Sequence, residues 1–207
     1  MKGKEIASIV LFGSVWGMLE CILGDLLRSW DLPAGAILTG VVAVSLMTYT
    51  RMIFRKRGMQ FGMSLVAGAL RLTNPFTGCL LCSAIAIIAE GAIFEAVWYR
   101  ITDPRSAGKP VAIMGLGLIT SYLCYIGGYT VTQVLTPLLF SSLHTEDILL
   151  LPVYTLAKGL PAGLLGSVFV LLTSSARRLD ISRVKSRIYY PATLALSALC
   201  WIVGMMG

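Results

Sequence analysis

The feature that most constrains this chain is a succession of apolar runs, separated by short joints rich in charged, proline or glycine residues. A bilayer's hydrocarbon core is about 30 Å thick, so a helix needs about 20 apolar residues to cross it. Hydrophobic residues make up 57% of the 207 residues and charged residues only 13%, which is outside the range of ordinary soluble domains. The sequence therefore predicts an all-α, polytopic transmembrane bundle forming one integral membrane domain over residues 1–207.

The apolar runs predict seven helices. The first is too long for a signal peptide and has no small-x-small cleavage site before Glu20, so we keep it as a membrane span. The third is short for crossing alone and ends at a Thr-Asn-Pro stop. We place the helices near Ile6 to Leu27, Pro33 to Phe54, Gly58 to Leu72, Phe76 to Trp98, Pro110 to Leu139, Leu149 to Ser174 and Tyr189 to Met206.

Basic residues are distributed unevenly over the joints, and they accumulate in cytoplasmic loops of membrane proteins. If the short third helix crosses, one side receives nearly all of them, which predicts a cytoplasmic N-terminus and an extracytoplasmic C-terminus. The net charge of +7 then needs no nucleic-acid partner, and no nucleic-acid motif is present. The basic side holds Lys2, Lys4, Arg51, Arg55, Lys56, Arg57, Arg100, Arg105, Lys109, Arg177, Arg178, Arg183, Lys185 and Arg187. The other holds Arg28, Asp31, Arg71, His144, Glu146 and Asp147.

Polar residues inside the spans predict the functional site, because a charge within the membrane normally faces a cavity or a partner. With this topology, one set falls in the outer half of the bundle, where aromatic walls and a few charges would suit a small-molecule pocket. The alternative is an interfacial tyrosine belt with Glu20 and Arg71 as a structural pair. The candidate substrate-binding residues are Glu20, Arg71, Asn74, Tyr125, Tyr129, Gln133, Tyr154 and Lys158.

Two glutamates, Glu90 and Glu95, lie five residues apart in the fourth helix. At about 100° per residue they point about 140° apart, so they cannot work as a paired acid and base on one face. We expect Glu95 to pair with a cytoplasmic-side arginine or to meet a partner protein. Glu90 is expected to accept hydrogen bonds where another helix packs closely, and a proton relay is its sharper alternative.

Small residues four apart predict close helix contacts, either within the chain or against another subunit. They occur as Gly13 and Gly17 in the first span and as Gly159 and Gly163 in the sixth.

Cys79 and Cys82 form a Cys-x-x-Cys pair that a membrane thiol oxidoreductase could use. Apolar residues interrupt and follow the pair, which favours small core residues instead. His144 stands in an acidic joint and is interpreted as a solvated loop residue rather than a metal ligand. The sequence contains no hydrolase, metalloprotease or nucleotide-binding motif, so we expect no enzymatic activity, cofactor or metal.

The order of helices and short motifs resembles the substrate-binding S components of energy-coupling factor (ECF) vitamin transporters, particularly the thiamin-precursor type. The resemblance covers Ile6 to Arg178. It rests on the small-residue pair of the first helix, a short third helix and four motifs: Pro33-Ala-Gly35, Arg55-Lys-Arg-Gly58, Asn74-Pro-Phe-Thr-Gly78 and Ala89-Glu-Gly-Ala-Ile-Phe-Glu95, with Ala157-Lys-Gly159 in the sixth helix.

The resemblance implies a six-helix S-component-like core over residues 1–178, with an extra transmembrane helix at 187–207 that departs from the family pattern. It further implies a binding subunit in the cell membrane that captures a small vitamin or vitamin precursor, with a transmembrane T component and ATPase subunits as partners. Gly13 and Gly17 would stand at the T-component contact, and we add Glu95 as a candidate partner contact. The alternatives are a thiol oxidoreductase and a scaffold protein without a ligand, and the ligand itself is not specified.

Overall fold

The computed structural model describes residues 3–73, 80–140, 145–176 and 184–206. Within these ranges it describes every side chain except those of residues 107, 137–140 and 145–155. Within these ranges the chain forms seven helices, one short 3₁₀ turn at Pro104–Ala107 and no strand. The predicted all-α helical bundle is confirmed. The helices are α1 (Gly3–Ser29), α2 (Ala34–Phe54), α3 (Met59–Thr73), α4 (Leu80–Val97), α5 (Pro110–Phe140), α6 (Thr145–Ser175) and α7 (Ser186–Met206).

Six of these helices, all except α3, are long and apolar enough to cross a membrane by length and composition. Their outer faces carry large apolar side chains. On α6, for example, Leu160, Leu164 and Leu172 are 58%, 61% and 58% exposed. These residues are spaced by four or eight positions and so share one helix face. Such a face would be costly in water but is solvated by lipid tails, so the bundle is that of a multi-pass membrane protein.

One end of the bundle gathers the basic joints. The N-terminal turn of α1 meets the α2–α3 joint through the ion pair of Glu5 and Lys56, 3.4 Å apart. That joint meets the α4–α5 joint through Arg55 and Asp103, 3.8 Å apart. The guanidinium of Arg105 in turn donates to the backbone carbonyls of Ser174 and Ala176 at the end of α6. We call this end the basic end.

The α6–α7 joint reaches the same end, because the Lys4 ammonium donates to the Val184 carbonyl oxygen at 2.7 Å. From there α7 runs parallel to α1. Its Tyr189 hydroxyl hydrogen-bonds Ser8 near the start of α1, and the Trp201 indole donates to the Ser14 hydroxyl at 3.0 Å. The C-terminal end of α7 therefore lies at the opposite end of the bundle from the start of α1.

Helix α3 has 15 residues and packs between α1 and α4. Near its first residue, the Gln60 backbone amide donates to Glu95 at 3.1 Å, in the part of α4 close to the basic end. Near its last residue, Arg71 contacts Asp25, in the last part of α1. Gln60 and Arg71 are eleven positions apart, which corresponds to a rise of about 16 Å along the helix. Helix α3 therefore runs from the basic end toward the opposite end.

Helix α2 is interrupted by a π-helical segment at Leu38–Ala43. Such wider turns are rare overall, and many of those that occur lie at functional sites. Here Gly40 lets the segment lie against α6: a Cβ atom at this position would stand 2.6 Å from the Ala162 carbonyl oxygen. The same segment presents Leu38 and Thr39 to the cavity described below.

Candidate functional site

A cavity of about 270 Å³ opens among the first five helices, in the half of the bundle away from the basic end. Its lining joins the last turns of α1 and α3, the first turns of α2 and α4, and the middle of α5. Two acidic and two basic side chains line it, together with two tyrosines and several small residues. The lining residues are Glu20, Gly24, Arg28, Ala34, Gly35, Leu38, Thr39, Arg71, Ser83, Ala86, Ile87, Glu90, Tyr125, Gly128, Tyr129 and Thr132.

Arg71 forms the basic wall of the cavity and is only 3% exposed. Its Nε donates to the Ser83 hydroxyl at 3.2 Å, and its Nη2 lies 4.0 Å from an Asp25 carboxylate oxygen. Among the residues that the structure describes, its Nη1 has no hydrogen-bond partner. A buried donor without a partner costs about 1–3 kcal/mol, and more when it is charged. The guanidinium is therefore equipped to bind an anionic group in the cavity.

Glu90 is, with Arg71, one of two buried charged residues in the cavity lining and is 8% exposed. Its Oε1 accepts a hydrogen bond of 2.7 Å from the Thr39 hydroxyl, which the π segment of α2 presents. Its Oε2 is buried and has no hydrogen-bond partner within the described part of the chain. This interhelical bond agrees with the role expected for Glu90, but the residue also faces the cavity, so it can bind a ligand as well.

Glu20 adds a second carboxylate to the lining. The indole nitrogen of Trp16, one turn earlier on α1 and fully buried, donates to its Oε1 at 3.1 Å. Among the described residues Arg71 forms its ion pair with Asp25 rather than with Glu20, but Glu20 and Arg71 still attract each other electrostatically, so the alternative of a structural pair stays open. Glu20 is thus positioned in the lining by a hydrogen bond from a neutral donor.

Tyr125 and Tyr129 form the aromatic wall on α5. Their rings are stacked, with centroids 5.8 Å apart and 16° between the planes. Lys158 of α6 lies outside the lining, on the exposed side of Tyr129, where its Nζ donates to the tyrosine hydroxyl at 3.2 Å. Within the described part of the chain, Lys158 therefore reaches the cavity through Tyr129, as a positioning residue.

The structure brings four of the eight candidate binding residues into one cavity: Glu20, Arg71, Tyr125 and Tyr129. Gln133 lies one turn beyond Tyr129, where Thr132 lines the cavity instead. Asn74 falls outside the described residues, as does the side chain of Tyr154 on α6.

Sequence reasoning missed several lining residues. It placed Glu90 below the midplane, away from the pocket, and it had no signal for Thr39 or Ser83, which are ordinary hydroxyl residues of membrane helices. One signal was available: Ser83, Ile87 and Glu90 recur at spacings of four and three residues, which puts them on one face of α4.

The residues assigned to a partner contact are engaged within the chain. A Cβ atom at Gly17 would stand 3.0 Å from the Ala67 carbonyl oxygen, and one at Gly13 would stand 2.7 Å from that of Met63. Both glycines are therefore covered by α3, which corrects the expectation that they present a surface to another subunit. Glu95 pairs with Arg51, 3.3 Å away, as its alternative role anticipated.

Cys82 is buried and disulfide-bonded, and its sulfur accepts a hydrogen bond of 3.4 Å from the Thr136 hydroxyl. Cys79 lies outside the described residues. The other cysteines, Cys21, Cys124 and Cys200, are free and buried. Within the described ranges, no three His, Cys, Asp or Glu side chains are grouped closely enough to hold a metal ion.

In comparisons with known proteins, no family model matches the chain, and no solved structure matches it. The cavity offers hydrogen-bonding charges of both signs and stacking surface, which suits reversible binding of a small molecule.

Proposed function

We propose that this protein is a membrane-embedded subunit that binds a small molecule, such as a vitamin or vitamin precursor, for uptake across the cell membrane. The observation that carries the proposal is the cavity itself, with Arg71 and Glu90 both buried in its wall and each keeping one polar atom unpartnered within the described residues. Charged groups are costly inside a membrane protein, so a cavity that keeps them is most simply a binding site.

The resemblance to ECF S components supports the same function, with a T component and ATPase subunits supplying the energy. The orientation we propose places the basic end in the cytoplasm, following the accumulation of Lys and Arg on that side. The cavity then lies in the outer half of the bundle, where an imported molecule would first be captured. Because α3 covers Gly13 and Gly17, we propose that partners contact other parts of the surface.

Native mass spectrometry of the gently purified protein tests the proposal by detecting a small molecule that travels with it. Two glycine-to-leucine variants of α5 test whether this molecule binds in the cavity. Gly128 lines the cavity, and a Cβ atom there would stand 3.2 Å from Glu90 Oε1, so Gly128→Leu should fill the site. Gly115 has open space beside it, so Gly115→Leu should leave the site unchanged.

We expect a stoichiometric ligand in the unmodified protein and in Gly115→Leu, and none in Gly128→Leu. Binding that survives in Gly128→Leu would place the ligand elsewhere and contradict the proposal. Co-purification of ATPase subunits with the full chain from its native membrane tests the energy source separately.

A second candidate function, thiol oxidoreductase, is favoured by the disulfide at Cys82. The burial of Cys82 argues against exchange with a soluble substrate, since reactive cysteines are at least partly exposed. A Cys82→Ser variant that keeps whatever thiol–disulfide exchange activity the unmodified protein shows toward a dithiol probe would dispose of this alternative.

A further inference from the structure

We infer that the molecule bound in this cavity is dipolar, with an acidic group at one end, a basic nitrogen at the other and a flat or slender body between. This inference rests on the proposed function and deepens it by naming the class of ligand.

The acidic group belongs at Arg71. The unpartnered Nη1 is a charged donor in a wall only 3% exposed, so an anion there gains a charge-assisted hydrogen bond. Asp25, the ion-pair partner of Arg71, stands at 4.0 Å and leaves that donor unused. Arg28 also lines this end of the cavity, and one carboxylate, that of Asp25, is shared between the two arginines. A carboxylate or a phosphate would satisfy this end.

The basic nitrogen belongs at Glu90. Its Oε2 is an acceptor without a partner in the described part of the chain, while its Oε1 is already used by Thr39. Gly128 on α5 lets the two helices approach closely here, since a Cβ atom at that position would stand 3.2 Å from Glu90 Oε1. Glu20 supplies a second carboxylate to the lining and interacts electrostatically with both Glu90 and Arg71.

The two ends are well separated along the cavity. Arg71 is hydrogen-bonded to Ser83, and Ser83 precedes Glu90 by seven residues on the same face of α4. Two helical turns correspond to a rise of about 10 Å. An α-amino acid carries both charges next to one carbon and is too short to reach both ends. Between the ends, Ile87 and the stacked rings of Tyr125 and Tyr129 provide an apolar wall for the body of the ligand.

A molecule with only one of these charges would leave the other buried group unpaired. We therefore expect single-charge analogues to bind about ten-fold more weakly or worse. Two matched probe sets test this with the full chain in detergent, by calorimetry and thermal shift. One set is 4-(aminomethyl)benzoate, 4-methylbenzylamine and 4-methylbenzoate. The other is 6-aminohexanoate, hexylamine and hexanoate.

Charge variants assign each end. Arg71→Gln should reduce the affinity of the dipolar probe to that of the amine. Arg71→Lys should still bind the dipolar probe more tightly than the amine, because the positive charge remains. Glu90→Gln, which retains an acceptor for Thr39, should reduce the affinity of the dipolar probe to that of the acid. Arg55→Gln, at the basic end and 57% exposed, is the control and should change none of the affinities.

Tighter binding of a dipolar probe than of both its analogues, lost as stated in the variants, supports the inference. An analogue that binds as tightly as its dipolar counterpart overturns it, as does the absence of binding by both dipolar probes. A neutral or singly charged molecule found by native mass spectrometry, and lost in Gly128→Leu, would overturn the ligand class while leaving the proposed binding function intact.

Discussion

Replacing Arg51 by methionine should destabilise the fold more than any change at an exposed arginine. Arg51 is fully buried, although it belongs to the basic end. Its guanidinium donates to three backbone carbonyls, those of Lys56 at 2.6 Å, Trp98 at 2.8 Å and Ile101 at 3.0 Å. It also pairs with Glu95 at 3.3 Å. One side chain thus connects the C-terminal end of α2 to the α2–α3 joint, to the end of α4 and to the α4–α5 joint.

The magnitude follows from what Arg51→Met leaves behind. The carboxylate of Glu95 is 15% exposed and would lose its ion-pair partner, although it would keep the hydrogen bond from the Gln60 backbone amide. Breaking a buried pair by removing one member costs about 3–5 kcal/mol, because the remaining charge stays buried without compensation. The freed carbonyls add to this cost wherever water cannot reach them. We therefore expect the free energy of unfolding to fall by about 3–5 kcal/mol.

The assay is reversible unfolding in mixed micelles with increasing dodecyl sulfate, followed by tryptophan fluorescence. Arg55→Met is the matched control: its side chain is 57% exposed and its partner Asp103 is 3.8 Å away, so the loss should be about 0–1 kcal/mol. Arg51→Lys should fall between the two, because an ammonium keeps the charge but lacks the planar fork that spans several acceptors. Equal stability of Arg51→Met and Arg55→Met would refute the reasoning.

Three further outcomes are expected. Gly17→Leu should reduce the yield of folded protein, since its side chain would meet the Ala67 backbone, whereas Gly115→Leu should give a normal yield; size-exclusion chromatography in detergent compares them. Lys158→Ala should weaken ligand binding less than Arg71→Gln does, because among the described residues Lys158 reaches the cavity through Tyr129; calorimetry with the same probe decides this, and a larger loss in Lys158→Ala would contradict the indirect role. The proposed orientation places Met206 outside the cytoplasm. A phosphatase that works only outside the cytoplasm should therefore be active when it is fused after Met206, and a fluorescent protein that matures only in the cytoplasm should give no signal there. The reverse result would overturn the proposed orientation.

The helices were largely readable from the sequence. Membrane spans are set by the thickness of the bilayer and by the need to satisfy the backbone within each helix, and both requirements are local. The predicted second helix, Pro33 to Phe54, therefore differs by one residue from the observed Ala34–Phe54. What local reasoning could not find was the π segment at Leu38–Ala43, since it depends on how α2 packs against α6.

The candidate site was readable only in part. Depth along a helix follows from the topology, which is why Glu20, Arg71, Tyr125 and Tyr129 were predicted to lie near one another. Rotation of each helix about its axis is set by packing, and it sends Glu90 to the cavity and leaves Gln133 outside the lining.

The sequence by itself determined that this chain forms a bundle of membrane helices with basic joints on one side, because hydrophobicity and charge act residue by residue. Only the tertiary structure decided which polar groups meet. Arg51, one of many basic residues near a joint, is fully buried and connects the ends of two helices. Arg71 and Glu90, which lie on different helices, came to line one cavity. Such pairings depend on how neighbouring helices turn toward each other, which close packing of side chains fixes and no single segment encodes.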